Sequence, residues 1–413
     1  MHLPIPIERL RQAIRSWPFS LADLPADCWL VGGAVRDLLI NRQSSKPDLD
    51  FIVFEPALAV AQRFARAQGG SYVPLDPQRQ IARVVLPTLT VDFARCEGDR
   101  LEADLQRRDY TINAIAWQPQ QERLCDPCGG LADLQPGQLR MVSPTNLADD
   151  PLRLLRAFRQ SSQLGFPIET ETLRAIATLA PRIREVAAER VLAELQQLLH
   201  QDHPWPSLEQ AIAHAVLQPW FPAATLPRIQ ALARAEAHLI AAVPALSGIL
   251  TPLLPQSPWS LLALTRFTAL LDPEPIAAET RLQTLKVSRA LARQTLTLLQ
   301  CQSHLPAARQ GNLEARFRLY RQSRELLPGC LLIGDYGVDL IPLLQAWLDS
   351  TDRVAHPRAW VDGRQLMQAL DLAPGPQIGD LLEAIALATA RGEIDSVEAA
   401  IALARQQLTK RLG

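Results

Sequence analysis

The chain has 413 residues, a hydrophobic content of 48%, a charged content of 21% and a formal net charge of -1. That length exceeds a single ordinary core, so roughly two to four globular domains are expected; the charge excludes a surface coated in basic residues, though not a local basic groove. Six cysteines do not make a disulfide framework here, no charged-then-apolar leader opens the chain, and the most apolar stretch, Leu239 to Leu254, is broken by Pro244, Gly248 and Pro252, so core helices, no membrane span and a cytoplasmic location are expected.

In chain order, Cys28 to Val31 predicts a short strand ending at Gly32-Gly33, and Ala34 to Ile40 a helix. Glycine lets backbone approach a triphosphate, and the following helix start offers free N–H groups and a positive dipole end. Arg36, on the first turn, would reach the same phosphates. A glycine pair alone is weak, because turns use it constantly. Leu49 to Phe54 alternates apolar and acidic residues and predicts a strand. Asp48 and Asp50, at i and i+2, then point to one face. Two carboxylates side by side repel each other and are most useful sharing cations, which suits Mg²⁺ together with phosphate oxygens. An acidic solvated edge strand is the alternative, and the upstream Gly-Gly-x-x-Arg-Asp element weighs against it.

Ala57 to Gln68 predicts a helix stopped by Gly69-Gly70, followed by a meander of three strands at Ser71 to Pro74, Ile81 to Leu86 and Leu89 to Ala94. Asp92 is either a third catalytic carboxylate or an ordinary exposed strand residue. After Leu101 the chain is expected to turn helical. Arg107, Arg108, Asp109 and Asn113 suit phosphate and ribose contacts, and the apolar flanks Tyr110 to Ile112 and Ala114 to Ala116 anchor them in a core. Cys125-x-x-Cys128 lacks a partner motif at zinc spacing and is taken as a loop with incidental cysteines.

Asp149-Asp150-Pro151-Leu152-Arg153 is expected to open the first long helix, with acids as caps and proline at the first position. Asp150 and Arg153, three apart, would share a helix face. An aspartate accepts and an arginine donates, which matches the Watson–Crick edges of C and A and opposes those of U and G. Arg156 and Arg159 continue the stripe and would hold triphosphate. Beyond Pro151 the pattern is of 3.6-period helices, and the 33 prolines fit their boundaries. The architecture predicted is α+β, a small α/β head followed by a long all-α region, with boundaries near Ser143-Pro144, His203-Pro204 and Asp272-Pro273. Lys46, Lys286 and Lys410 are the only lysines; the arginine bias suits phosphate and fits genomic base composition equally.

Gly32 to Asp37 with Asp48-x-Asp50, Arg107 to Ala114, Gly130 to Leu134 with Leu139-Arg140, Asp149 to Arg153, and Glu189-Arg190-Val191 with Glu194 resemble, in order, the motifs of the bacterial-type (class II) tRNA nucleotidyltransferase and poly(A) polymerase family. Val361 to Met367 and Pro374 to Gly379 resemble the C-terminal region of long bacterial members. The resemblance implies a polymerase-β-like catalytic head (residues 1–142), a neck that selects the nucleobase (143–203), a body (204–272) and a tRNA-binding tail (273–413). The implied activity is untemplated addition of C, C and A to the tRNA 3′ end from CTP and ATP. By motif, Asp48 and Asp50 would bind metal, Gly33, Arg36 and Arg108 the triphosphate, Asp109 the ribose, and Asp150 and Arg153 the base.

The sequence departs from the family pattern twice. Asp149 stands where the family has glutamate, which would loosen the hold on Arg153. Only Cys96 to Leu101 separates Arg95 from Glu102, where members that finish with A carry a flexible loop. Some members add only CC, leave A to a separate enzyme and resemble this pattern of deletion, so CC addition alone is the expectation here; the alternative is a short loop that still permits addition of the terminal A. A poly(A) polymerase shares the motifs but is expected to carry a basic extension, and the sequence ends at Lys410-Arg411-Leu412-Gly413. Intact Asp48 and Asp50 argue against a non-catalytic tRNA-binding protein. Arg182, Arg184, Arg228 and Arg234 are candidates for tRNA phosphate contacts and equally for surface solvation.

Overall fold

The computed structural model describes residues 7–42, 47–334 and 340–412. It divides into two compact units, one of Met1–Ala187 with His214–Val216 and one of Ala188–Ala213 with Leu217–Gly413.

The first unit runs α1 (Ile7–Arg15), β1 (Trp29–Val31), α2 (Gly33–Leu39), β2 (Asp48–Val53), α3 (Ala57–Gln68), β3 (Ser71–Asp76), β4 (Ile81–Val85), β5 (Thr90–Arg95), α4 (Leu101–Gln106), β6 (Ala116–Gln118), β7 (Arg123–Cys125), α5 (Gly130–Leu134), α6 (Pro144–Asp149), α7 (Leu152–Leu164) and α8 (Thr170–Leu179). The strands form one sheet in the order β3-β4-β5-β2-β1-β6-β7. Among the described strands of this sheet, β2 and β5 alone pair in parallel.

Strand alternation sorts the sheet's two faces. Leu49, Phe51 and Val53 of β2 join Val91 and Phe93 of β5 in a core closed by Val60, Ala61 and Phe64 of α3. Phe51 stacks on Phe93 at 5.8 Å between centroids, and Phe64 meets Phe93 edge-on at 5.3 Å. Such pairs add about 0.5–1.5 kcal/mol to their burial, and they fix β2 against β5. On the opposite face Trp29, Val31 and Ile52 pack with Leu101 and Leu105 of α4. Asp48 and Asp50 share that second face with Ile52. The apolar cover stops short of them, leaving Asp48 exposed and Asp50 half-buried.

The strands expected before Arg95 are in place, as is the helix stop at Gly69, which takes the left-handed conformation and donates its N–H to the Ala65 carbonyl. The expectation that the chain turns helical after Leu101 is corrected. α4 forms, but β6 and β7 follow as a hairpin that extends the sheet beyond β1. Ile115, Ala116 and Trp117 are completely buried, so β6 shows no polar alternation, and a short continuous apolar run does not distinguish strand from helix.

The second unit is helical. It contains α9 (Ala188–Leu199) and, among others, helices Leu226–Ala242, Leu261–Thr268, Arg289–Gln300, Leu313–Ser323 and Pro376–Arg391. Ser260, Glu274, Ser288, Asn312 and Asp362 cap helices with their side chains, and prolines occupy first-turn positions at Leu226–Ala242, Pro275–Thr284 and Pro376–Arg391. Inside this unit Arg266 pairs with Glu236, Nε to Oε2 at 3.0 Å, and donates to the carbonyls of Leu199 and Gln201. Toward the C-terminus, Val361, Leu366, Ile378, Leu381 and Ile385 form a separate cluster with Ala400 and Ala404. Among the described residues no helix is long and apolar enough to cross a membrane.

Candidate active site

Sheet register places the acidic residues. Val31, the last residue of β1, lies opposite Asp50, so the chain leaves β1 at Gly32 directly beside that carboxylate. Asp50 in turn lies opposite Asp92, and Asp48 opposite Thr90, across the parallel pair. Thr90 Oγ1 donates to Asp48 Oδ1. Arg83 of β4 grips Asp92 with both arms, Nε to Oδ1 at 2.8 Å and Nη2 to Oδ2 at 2.9 Å. Burial, and then the charge of Asp92, push the Asp50 carboxyl up to about 6, with Arg108 opposing. A carboxylate raised chiefly by burial gains its charged form when a cation binds beside it.

Gly32 has φ 71°, and a Cβ there would lie 3.1 Å from Arg108 Nη1 and 3.7 Å from Asp50 Oδ2. A side chain at this position would meet both backbone strain and the arginine. Arg108 makes one long contact, to Asp104 at 3.4 Å, and its buried Nε has no hydrogen-bond partner. The fork next to Asp50 is therefore under-used. Gly33 lies beside the guanidinium of Arg36.

Arg36 itself is turned inward. It is 5% exposed, donates to Asp37 at 2.8 Å and to Asn113 Oδ1 at 2.6 Å, and so braces Asn113 instead of facing open space. Asn113 passes the connection to Asp109 Oδ1 at 2.9 Å and to Gln160 Oε1 at 2.9 Å. Asp109 also accepts from the Tyr110 N–H and from Arg156 Nε at 3.0 Å. Burial alone would raise the Asp109 carboxyl; Arg156, Asn113 and the Tyr110 N–H outweigh it and hold the group below its ordinary range.

Arg153 donates from Nη1 to the carbonyls of Arg107 and Asn146, at 2.8 and 3.0 Å. Asn146 donates to the carbonyls of Gln106 and Arg108, both at 2.7 Å. Together they hold the end of α4 from which Arg107 and Arg108 project. Arg107 pairs with Glu97 at 2.5 Å. The expectation that Asp150 and Arg153 ride one helix face is corrected, because α7 begins at Leu152 and Asp150 lies in the extended break after α6. Asp150 Oδ1 caps the Leu152 N–H at 3.3 Å, and the Arg153 N–H reaches the Asp150 carbonyl at 3.0 Å. Arg159 is buried and donates to Gln163.

Sequence reasoning missed Arg83, Thr90, Asn146 and Gln160. The signal for Gln160 was its place one turn after Arg156. For Arg83 and Thr90 it was only their rank beside the carboxylates in the meander. Of the arginines proposed for tRNA, Arg182 pairs with Glu185 on the surface and Arg228 donates to the Leu271 carbonyl. Cys125 and Cys128 pack against the apolar cluster beside α4, and burial pushes both thiols up. Among the described residues no group of three ligating side chains converges as a closed metal site.

Three family models match the chain. The poly A polymerase head domain matches residues 28–140, an RNA- and SrmB-binding site of polymerase A residues 165–226, and tRNA nucleotidyltransferase domain 2 residues 259–404. A CC-adding tRNA nucleotidyltransferase of Synechocystis sp. is 38% identical over 97% of this chain and 98% of its own length. The chain belongs to the bacterial-type tRNA nucleotidyltransferase family. Nucleotidyltransferases of this family use divalent metal ions. Another tRNA nucleotidyltransferase, the A-adding protein of Deinococcus radiodurans, is 32% identical over 94% of this chain and 96% of its own length. The fold is shared with a Thermotoga maritima CCA-adding enzyme complexed with tRNA, at a TM-score of 0.68 and 21% identity over 92% of this chain and 91% of that one.

Proposed function

We propose that this protein adds two cytidylates to the 3′ end of tRNA, using CTP and no nucleic-acid template, and stops before the terminal A. The transfer forms a bond from the tRNA 3′-oxygen to the α-phosphorus of CTP and breaks the bond to the β-phosphate, releasing pyrophosphate. The observation that carries nucleotidyl transfer is the placement of Asp48 and Asp50 on one sheet face beside Gly32 and the under-used fork of Arg108. In this reading Asp48 and Asp50 hold Mg²⁺, which suits a few carboxylates completed by phosphate oxygens and water. When bound, the metal activates the attacking hydroxyl and stabilises the leaving pyrophosphate.

The chain's own residues do the rest. Arg108 contacts the triphosphate where Gly32 leaves it room. The network of buried Arg36, Asn113, Asp109 and Gln160 with partly exposed Arg156 fixes the floor of the nucleotide site, so Asp109 acts on the ribose through a preset position. Asp150 and Arg153 meet the base from either side of the break before α7. The division into head (1–142), neck (143–203), body (204–272) and tail (273–413) follows the same reading, with tRNA gripped by the tail, in the cytoplasm.

The restriction to CC rests on the segment between Arg95 and Leu101. It is short and pinned, with the Cys96 N–H on the Val53 carbonyl, the Glu97 N–H on Asp104, and the Glu97 side chain on Arg107. A-addition needs the base site to accommodate a larger purine after CC, and a pinned segment has little slack to support that change. The CC-adding relative supports this reading, although an A-adding relative of similar coverage shows that overall likeness does not set the nucleotide count. A separate A-adding enzyme would complete the end. The test supplies purified protein with CTP and ATP on tRNAs ending at the discriminator base or at CC. Two cytidylates on the first and no adenylate on the second are expected. Efficient A addition to the CC-ended tRNA overturns the CC limit, and no incorporation of either nucleotide overturns the assignment as a whole.

A further inference from the structure

Across β4, β5 and β2, register aligns Arg83, Asp92 and Asp50 in a single rung. Their side chains share the open face of the sheet, since residues paired in register point the same way. Asp92 therefore stands next to the carboxylate pair, where a third metal ligand would stand. Yet both of its oxygens are taken by one guanidinium, at 2.8 and 2.9 Å. The planar fork of arginine matches a carboxylate edge with two parallel charge-assisted bonds. The Asp92 side chain is only 17% exposed, so water competes weakly for it.

We propose that Arg83 is a positioning residue that withholds Asp92 from the divalent metal, leaving Asp48 and Asp50 as the protein's whole carboxylate contribution. This rests on the reading of Asp48 and Asp50 as the metal pair. Strand β5 then serves the site in two ways. Thr90 orients Asp48 by hydrogen bond, while Asp92 and Arg83 form a neutral pair that presents no net charge to the metal. Mg²⁺ demands near-ideal octahedral geometry and keeps several waters. A third anionic ligand would hold it more tightly and leave fewer positions for phosphate oxygens and the attacking hydroxyl. The arginine therefore sets how strongly the empty protein binds metal before nucleotide arrives.

The test is a charge-balanced cycle on the full chain without nucleotide, with Mn²⁺ as the probe, free Mn²⁺ read by electron paramagnetic resonance, and folding checked by circular dichroism. R83M frees the Asp92 carboxylate and should tighten Mn²⁺ binding by roughly three- to tenfold. R83M/D92N removes cation and anion together and should bind within about fivefold of the wild type, because the pair removed was neutral and not a ligand. A loss greater than that in the double variant shows Asp92 to be a ligand and overturns the proposal, as does a failure of R83M to tighten binding. If R83M does not fold, the double variant, which buries no unpaired charge, decides alone. D50N is the control. Should it bind Mn²⁺ like the wild type, the metal reading of Asp48 and Asp50 falls, and the proposal with it; if D50N weakens binding and the double variant does too, only the proposal falls.

Discussion

Asp109 is 7% exposed, and neighbours maintain its charge, with Arg156 the cation that hydrogen-bonds it directly and Arg153 adding a weaker pull. Its depressed pKa makes it a source of stability with a defined pH window. An acid whose folded pKa lies below the unfolded value of about 3.9 contributes fully above that value and loses its contribution as pH falls through the folded one. Arg156→Gln should therefore lower stability at pH 7 by about 1–3 kcal/mol, discounted because Arg156 is itself partly exposed. The penalty should stay flat down to about pH 5 and shrink below about pH 4, as Asp109 protonates in both proteins. Thermal unfolding of wild type and variant across that range measures it. A penalty independent of pH throughout would show that Arg156 acts by packing and not by charge. The acid was legible in the sequence and its isolation was not. Arg107 to Asn113 announces phosphate and ribose chemistry by residue type, but Arg36 and Gln160, which immobilise Asn113, are distant in sequence and meet it only through the packing of α2 and α7.

At the scale of elements, α5 and the turn Thr111–Asn113 touch so closely that Gly130 is obligatory. A Cβ there would run into the Thr111 carbonyl oxygen and Ile115, and rigid backbone does not yield as a long side chain does. Gly130→Ala should destabilise the first unit by about 1–3 kcal/mol through overpacking. It should also weaken CTP binding, because Asn113 sits at the end of the displaced turn; equilibrium denaturation and nucleotide titration read the two effects. Unchanged stability would mean that the turn has slack. The carboxylate strand was legible because one of its faces is apolar and the other acidic. The meander after α3 was legible from the glycine stop and the turn residues. The hairpin β6–β7 was not, since its first strand is buried on both faces and its turn, Pro119-Gln120-Gln121-Glu122, has no glycine and none of the Asn-Gly or Asp-Gly pairs that mark a tight hairpin. Nor was the break at Asp150. Capping residues announce a helix start but do not say whether a short helix such as α6 ends immediately before it.

At the scale of the whole molecule, a net charge of -1 coexists with arginines committed to internal work. In the second unit Arg266 is 2% exposed and joins Glu236 to the carbonyls that end α9. Breaking such a pair leaves a buried carboxylate without a counter-charge. Arg266→Met should cost about 3–5 kcal/mol, seen as a lower unfolding midpoint of that unit. Glu236→Gln combined with it should recover part of the loss, because no charge is then stranded; absence of recovery would locate the cost in the lost carbonyl contacts. Division into a sheet-bearing head and a helical remainder was legible from the shift in periodicity near Pro151. The assignment of α9 to the helical unit was not, since its amphipathic pattern names a buried face without naming the partner. One property of the head reaches beyond the finished enzyme. Its two carboxylate-bearing strands are parallel neighbours, and parallel neighbours are joined only through a crossover, here α3, β3 and β4. During synthesis β2 leaves the ribosome first, and Asp48 and Asp50 wait without Thr90 or Asp92 beside them. A nascent chain that has not yet emerged as far as β5 holds the acidic pair but lacks the strand that orients it, so chemistry begins only after this non-local closure.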